Sequence, residues 1–87
     1  MHSLILSRQA ERTLDRVDRV QRERLLIALR ELQRDPFNRT LDIRPVAGEP
    51  GVRRLRVGGW RVLFVIYEAR REVAVLRILP RGEACKR

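Results

Sequence analysis

Residues 53–67 read RRLRVGGWRVLFVIY, and the Gly58-Gly59 pair at their centre constrains the fold more than any other feature. Two glycines between two strand-like runs mark a tight hairpin. Primed two-residue turns need positive φ, which glycine adopts without a steric penalty. With the turn at 58–59, Val57 faces Trp60, Arg56 faces Arg61, Leu55 faces Val62 and Arg54 faces Leu63. Side chains alternate between the two faces of a strand. One face then carries Leu55, Val57, Trp60, Val62, Phe64 and Ile66 and is wholly apolar; it is expected to pack on helices. The other carries Arg54, Arg56, Arg61, Leu63, Val65 and Tyr67. Like charges opposed across strands destabilise a hairpin. Their clustering on one face makes sense where an anion sits, so the hairpin reads as built to grip phosphate.

The rest of the chain supplies the layer that covers the apolar face. Ser3-Leu4-Ile5-Leu6 reads as a first strand. Ser7 is placed to cap the helix after it, whose stripe is Ala10, Leu14 and Val17. Asp18, with Gln21 three residues on, forms a capping-box signature for a second helix. That helix has the stripe Leu25, Ala28, Leu29 and Leu32, and Pro36 stops it. Residues 37–51 hold two of the prolines, Pro45 and Pro50, and two of the glycines, Gly48 and Gly51, in no clear period. They read as a connecting loop, with a short extended piece at Leu41-Asp42-Ile43, and Glu49 in that loop, though able to approach the site, reads as a solvated carboxylate. Loops of this length in small domains are often functional. A last strand spans Val73 to Leu79, Pro80 ends it, and Arg81 follows. The expected architecture is α+β in the order β-α-α-β-β-β. Two N-terminal helices cover one face of a small, mainly antiparallel sheet, and residues 1–87 form one domain.

Charge narrows the partners. The chain has a formal net charge of +9. Residues 1–35 carry eight arginines against six acids, a net of +2, and residues 36–87 carry twelve basic residues against five acids, a net of +7. The basic surface therefore belongs to the C-terminal half. Such a surface attracts a polyanion or an acidic protein. Tyr67 and the apolar residues beside the arginines offer stacking surface for bases. The sequence holds no apolar run long enough for a membrane span and no signal-peptide pattern. One cysteine makes no internal disulfide, and the expected compartment is the reducing cytoplasm. There is no zinc spacing, phosphate loop or Ser/His/Asp arrangement, so neither a metal nor a cofactor is expected.

The run Leu55-Arg56-Val57-Gly58-Gly59-Trp60-Arg61, followed by an apolar strand and the tail PRGEACKR, resembles the LRVGxYR-type hairpin and basic ending of the RelE/ParE toxin superfamily of type II toxin–antitoxin modules. The helical hairpin and the Asp35-Pro36-Phe37 break fit as well. The resemblance covers nearly the whole chain and favours the RelE-like branch. It implies a toxin that cuts mRNA on the ribosome without a metal. In that chemistry a 2′-hydroxyl attacks the adjacent phosphate and leaves a cyclic phosphate and a free 5′-hydroxyl. By resemblance, Arg54, Arg61 and Arg81 are the catalytic residues, and Arg53, Arg56, Arg77, Lys86 and Arg87 bind RNA. Cys85 stands where many active members carry a tail tyrosine, and Val52 stands where some carry a base. A thiol donates weakly and does not stack as a phenol does. The implied partners are a cognate antitoxin, mRNA and the ribosome, with operator DNA reached only through the antitoxin complex. The alternatives are a ParE-like inhibitor of DNA gyrase, or an inactive homologue that acts only in antitoxin and operator binding.

Overall fold

The structure is a computed structural model, and it describes residues 1–80. Strand β1 (Ser3–Leu6) leads into helices α1 (Arg8–Arg16) and α2 (Arg19–Arg34). Strands β2 (Ile43–Pro45), β3 (Arg53–Val57), β4 (Trp60–Tyr67) and β5 (Glu72–Pro80) follow, with one 3-10 turn (Glu68–Arg70) before β5. The sheet order is β1-β5-β4-β3-β2. Every pair is antiparallel except β1 with β5, which is parallel. The expected architecture holds, with one strand added: residues 43–45 pair with β3 instead of remaining loop.

Local chemistry sets the helix boundaries. The Ser7 hydroxyl accepts from the Ala10 amide at 3.1 Å and donates to the Leu76 carbonyl at 2.7 Å, so the cap of α1 also ties it to β5. Gln9 completes the tie: its amide donates to the Ile78 carbonyl at 3.1 Å and its oxygen accepts from the Ile78 N–H at 2.9 Å. Pairing with β1 ends at Leu6↔Val75. These side chains thus satisfy the stretch of β5 that runs on past its neighbour, where bare strand groups would otherwise invite another chain. Asp18 caps α2 by accepting from the Gln21 N–H at 2.9 Å. The reverse arm of the expected capping box does not form, because the Gln21 side chain accepts instead from Trp60 Nε1 at 3.1 Å.

The core lies between the helices and the sheet. Ala10, Leu14, Leu25, Leu29 and Leu32 meet Leu55, Val62, Phe64, Val73, Val75 and Ile78, all buried. Val57, Trp60 and Ile66 pack against this cluster, so the face expected to be apolar is the one the helices cover. Arg22 braces the helical hairpin from inside: its guanidinium donates to the carbonyls of Leu14, Asp15 and Val17.

The β3–β4 turn departs in one detail from the expected form. Gly58 has φ +57°, whereas Gly59 is not in the left-handed region. One positive φ at the first turn position is the II′ pattern, so only one of the two glycines is required by conformation.

Candidate functional site

The hairpin register matches the one read from the sequence: Arg54↔Leu63, Leu55↔Val62, Arg56↔Arg61 and Val57↔Trp60. Residues paired across strands point to the same face. Arg44 pairs with Arg54, Leu63 with Arg77, and Arg61 with Leu79. The open face therefore presents two adjacent rows. One reads Arg44, Arg54, Leu63, Arg77; the other reads Arg56, Arg61, Leu79. A bulge keeps this alignment. Pairing steps from Leu63↔Arg77 to Phe64↔Val75, so Leu76 is the extra residue on β5. Arg77 stays on the open face beside Leu63, while Val75 reaches the core beside Phe64.

Arg61 is the unusual member of this face. It is only 6% exposed, and its Nε and Nη1 atoms are buried with no hydrogen-bond partner among the described residues. Arg56, directly opposite, is exposed. An arginine guanidinium is a planar cation with five N–H donors. Leaving buried donors unmade costs about 1–3 kcal/mol. The native fold thus holds a buried cation in the hairpin at a cost in unmade hydrogen bonds among the described residues. Such arrangements concentrate where a site must meet a charged ligand.

Glu49 enters the face from the loop between β2 and β3. That loop is built from two turns, closed by Glu49 N–H to Val46 O at 3.2 Å and by Val52 N–H to Glu49 O at 3.0 Å. Gly48 (φ +80°) and Gly51 (φ +82°) supply the left-handed positions that the turns need. The loop lays the Glu49 carboxylate 3.4 Å from Arg77 Nη2, and the carboxylate stays 35% exposed. In the sequence Glu49 reads as a solvated loop carboxylate; its pairing with a residue two strands away, at 3.4 Å, brings it to the face.

The candidate residues do not all converge. Arg54, Arg56, Arg61 and Arg77 share the open face. Arg53 does not: it pairs with Phe64 and Pro45, so it lies on the side of the sheet that faces the helices. Alternation along a strand makes neighbouring residues diverge, so Arg53, expected by resemblance to bind RNA, lies on the other side of the sheet from Arg54 and Arg56. Arg81, Cys85, Lys86 and Arg87 lie outside the described residues. Arg44 joins the face unannounced, because the short β2 has little strand signal of its own around Pro45. Among the described residues, no group of three or more His, Cys, Asp or Glu side chains converges, and no helix is long and apolar enough to cross a membrane.

The same arrangement of helices and sheet occurs in solved structures. The archaeal RelE–RelB complex from Pyrococcus horikoshii matches with a TM-score of 0.79 at 20% identity, covering 93% of this chain and 96% of that one. The RelBE2 toxin–antitoxin complex from Mycobacterium tuberculosis matches with a TM-score of 0.68 at 26% identity, covering 92% and 98%. The YoeB/ParE toxin from Agrobacterium tumefaciens matches with a TM-score of 0.75 at 17% identity, covering 90% and 96%. No curated protein matches the sequence significantly. The profile described as ParE toxin of type II toxin-antitoxin system, parDE, matches residues 4–85, and the chain therefore belongs to that family of toxins, with a RelE-like fold.

Proposed function

We propose that this toxin is a metal-free endoribonuclease that cuts mRNA on the ribosome in the cytoplasm, and that a cognate antitoxin holds it inactive. The observation that carries this reading is Arg61, a buried guanidinium whose Nε and Nη1 have no hydrogen-bond partner among the described residues, on a face it shares with Arg54, Arg56 and Arg77. A phosphate that gains charge on the way to its transition state is the ligand such donors favour, and favour more as the charge grows. Arg54 and Arg77 are diagonal neighbours of Arg61 across the two adjacent strands, within reach for long side chains.

In the proposed reaction the O2′–P bond forms and the P–O5′ bond breaks. The 2′-hydroxyl loses its proton and the 5′ oxygen gains one. Arg61 and Arg54 hold the scissile phosphate and balance its growing charge. Glu49 is the carboxylate placed to accept the 2′-hydroxyl proton, since it is half-exposed on the arginine-rich face. Arg81 stabilises charge on, or protonates, the leaving oxygen, and Cys85 occupies the place of the tail tyrosine, both by resemblance to the RelE branch. Arg56, Arg77, Lys86 and Arg87 hold flanking phosphates. The antitoxin partner is supported by the P. horikoshii and M. tuberculosis relatives, which are complexes of that kind. An acidic antitoxin segment complements a chain of net charge +9. Operator DNA is reached only through that complex.

A second reading, inhibition of DNA gyrase without RNA chemistry, is favoured by the match to the ParE profile. A supercoiling assay separates the two. Under the nuclease reading, purified toxin leaves gyrase activity unchanged at concentrations that stop cell-free translation. Gyrase inhibition by the wild type and by Arg61→Ala alike establishes the second reading.

A further inference from the structure

Behind the β2 edge, on the helix side of the sheet, lies an open cleft of about 300 Å³. Pro36, Leu41 and Ile43 give it apolar lining, Phe37 stands at it 54% exposed, and Arg39 and Arg53 border it. Both arginines are exposed, and neither joins an ion pair among the described residues. Arg44, Arg70 and Arg77, by contrast, each have a carboxylate. Phe37 is held in a stiff segment. Its N–H donates to Asp35 Oδ1 at 3.0 Å, and Asn38 Oδ1 accepts from both the N–H and the hydroxyl of Thr40. The His2 ring meets Phe37 edge-on, with centroids 6.5 Å apart.

We propose that this cleft is a nucleoside-phosphate site, in which a base stacks on Phe37 and its phosphate is held by Arg39 and Arg53. An apolar ligand has no use for two exposed cations, and a bare anion has no use for an exposed aromatic and an apolar lining. The volume is at the small end of the range of about 300–1,000 Å³ for ligand pockets, which suits a single nucleotide. Stacking on an aromatic side chain tolerates any base, and arginine matches phosphate geometry. The nucleotide has two sources: free in solution, or one unit of an RNA lying on the open face. Arg53 and Arg54 are consecutive on β3 and point to opposite sides, and the strand outside them is only three residues long. An RNA strand passing over that edge moves from Arg44 and Arg54 to Arg53 and Arg39. The RNA source rests on the ribonuclease reading; the free nucleotide does not.

The test is an amide NMR titration of the full chain with three probes: AMP, inorganic phosphate, and a six-nucleotide RNA that is 2′-O-methylated so that it resists cleavage. AMP is expected to shift the amides of residues 37–41 and 53, more tightly than phosphate alone. Phe37→Leu is expected to weaken AMP by roughly tenfold, the worth of one stacked base, and the Arg39→Gln/Arg53→Gln double variant, which loses two charged contacts, by at least roughly tenfold. Each variant's own spectrum reports that it is folded. Loss of hexamer affinity in the Arg39→Gln/Arg53→Gln variant assigns the site to bound RNA; an unchanged hexamer with weakened AMP assigns it to free nucleotide. If phosphate binds as well as AMP, or if AMP moves none of these amides, the proposal is overturned. A hexamer that still binds through Arg54 and Arg56 in that case leaves the ribonuclease reading standing. A hexamer that fails to bind the wild type while AMP binds removes the ribonuclease reading and keeps the cleft.

Discussion

Glu49 Oε1 stands 3.4 Å from Arg77 Nη2, although β3 and β4 lie between the strand that carries Arg77 and the β2 edge. Both side chains are partly exposed, at 35% and 41%, so the pair adds only about 0–1 kcal/mol to stability. Its consequence is placement: a carboxylate is brought to a face otherwise populated by arginines.

Glu49→Gln keeps the shape of that side chain and removes its capacity to accept a proton. Single-turnover cleavage of a defined RNA is expected to slow by about 10²–10⁴-fold, the usual worth of a positioned general base. Thermal stability is expected to move by less than about 1 kcal/mol. An unchanged cleavage rate assigns the proton to another group.

Arg61→Met separates function from stability. The variant replaces a buried cation, whose Nε and Nη1 lack partners among the described residues, with an apolar chain beside Leu63 and Leu79. Such replacements are neutral or stabilising. The melting temperature is expected to hold or rise by several degrees, since 1 kcal/mol is worth about 4–8 °C in a domain of this size. Activity is expected to vanish. A marked fall in melting temperature contradicts the description of Arg61 as a residue kept at a cost to stability.

The hairpin turn makes a paired prediction. Gly58→Ala forces an alanine to φ +57°, at a cost of about 1–2 kcal/mol. The added Cβ would meet only the end of the Arg24 side chain at 3.0 Å, which can shift, so backbone strain dominates. Gly59→Ala meets nothing within 4 Å and is expected to change stability by less than about 0.5 kcal/mol. Denaturant titration of the two variants checks the difference.

Salt reports how many arginines meet phosphate. Five open-face arginines, Arg44, Arg54, Arg56, Arg61 and Arg77, meeting a single-stranded RNA predict a slope of log affinity against log salt of roughly −3.5, at about −0.7 per contact. Each of Arg54→Gln, Arg56→Gln and Arg77→Gln is expected to flatten that slope by about one contact's worth. A slope near zero contradicts phosphate binding on this face.

Local signals made most of the fold legible. The caps at Ser7 and Asp18, the stop at Pro36 and the glycine turn depend on chemistry within a few residues, and each holds. Alternation then assigned the faces of β3 and β4 correctly. What stayed hidden depends on distant pairing. β2 is a strand because β3 offers it partners, and its three residues have no period to show. Gln21 looked like half of a capping box until Trp60, 39 residues away, took its side chain. The depth of Arg61 follows from its strand lying between β5 and β3, which no local pattern reveals. Arg53 is expected by resemblance to bind RNA, and the alternation that placed its neighbours puts it on the other side of the sheet.

The most direct test of the central claim is primer extension on a defined mRNA in a cell-free translation reaction, run with and without ribosomes, for the wild type and Arg61→Ala. New 5′ ends that need both the ribosome and Arg61 are the predicted result. Wild-type toxin that arrests growth yet yields no new 5′ ends, or cleavage by Arg61→Ala at the wild-type level, contradicts the account.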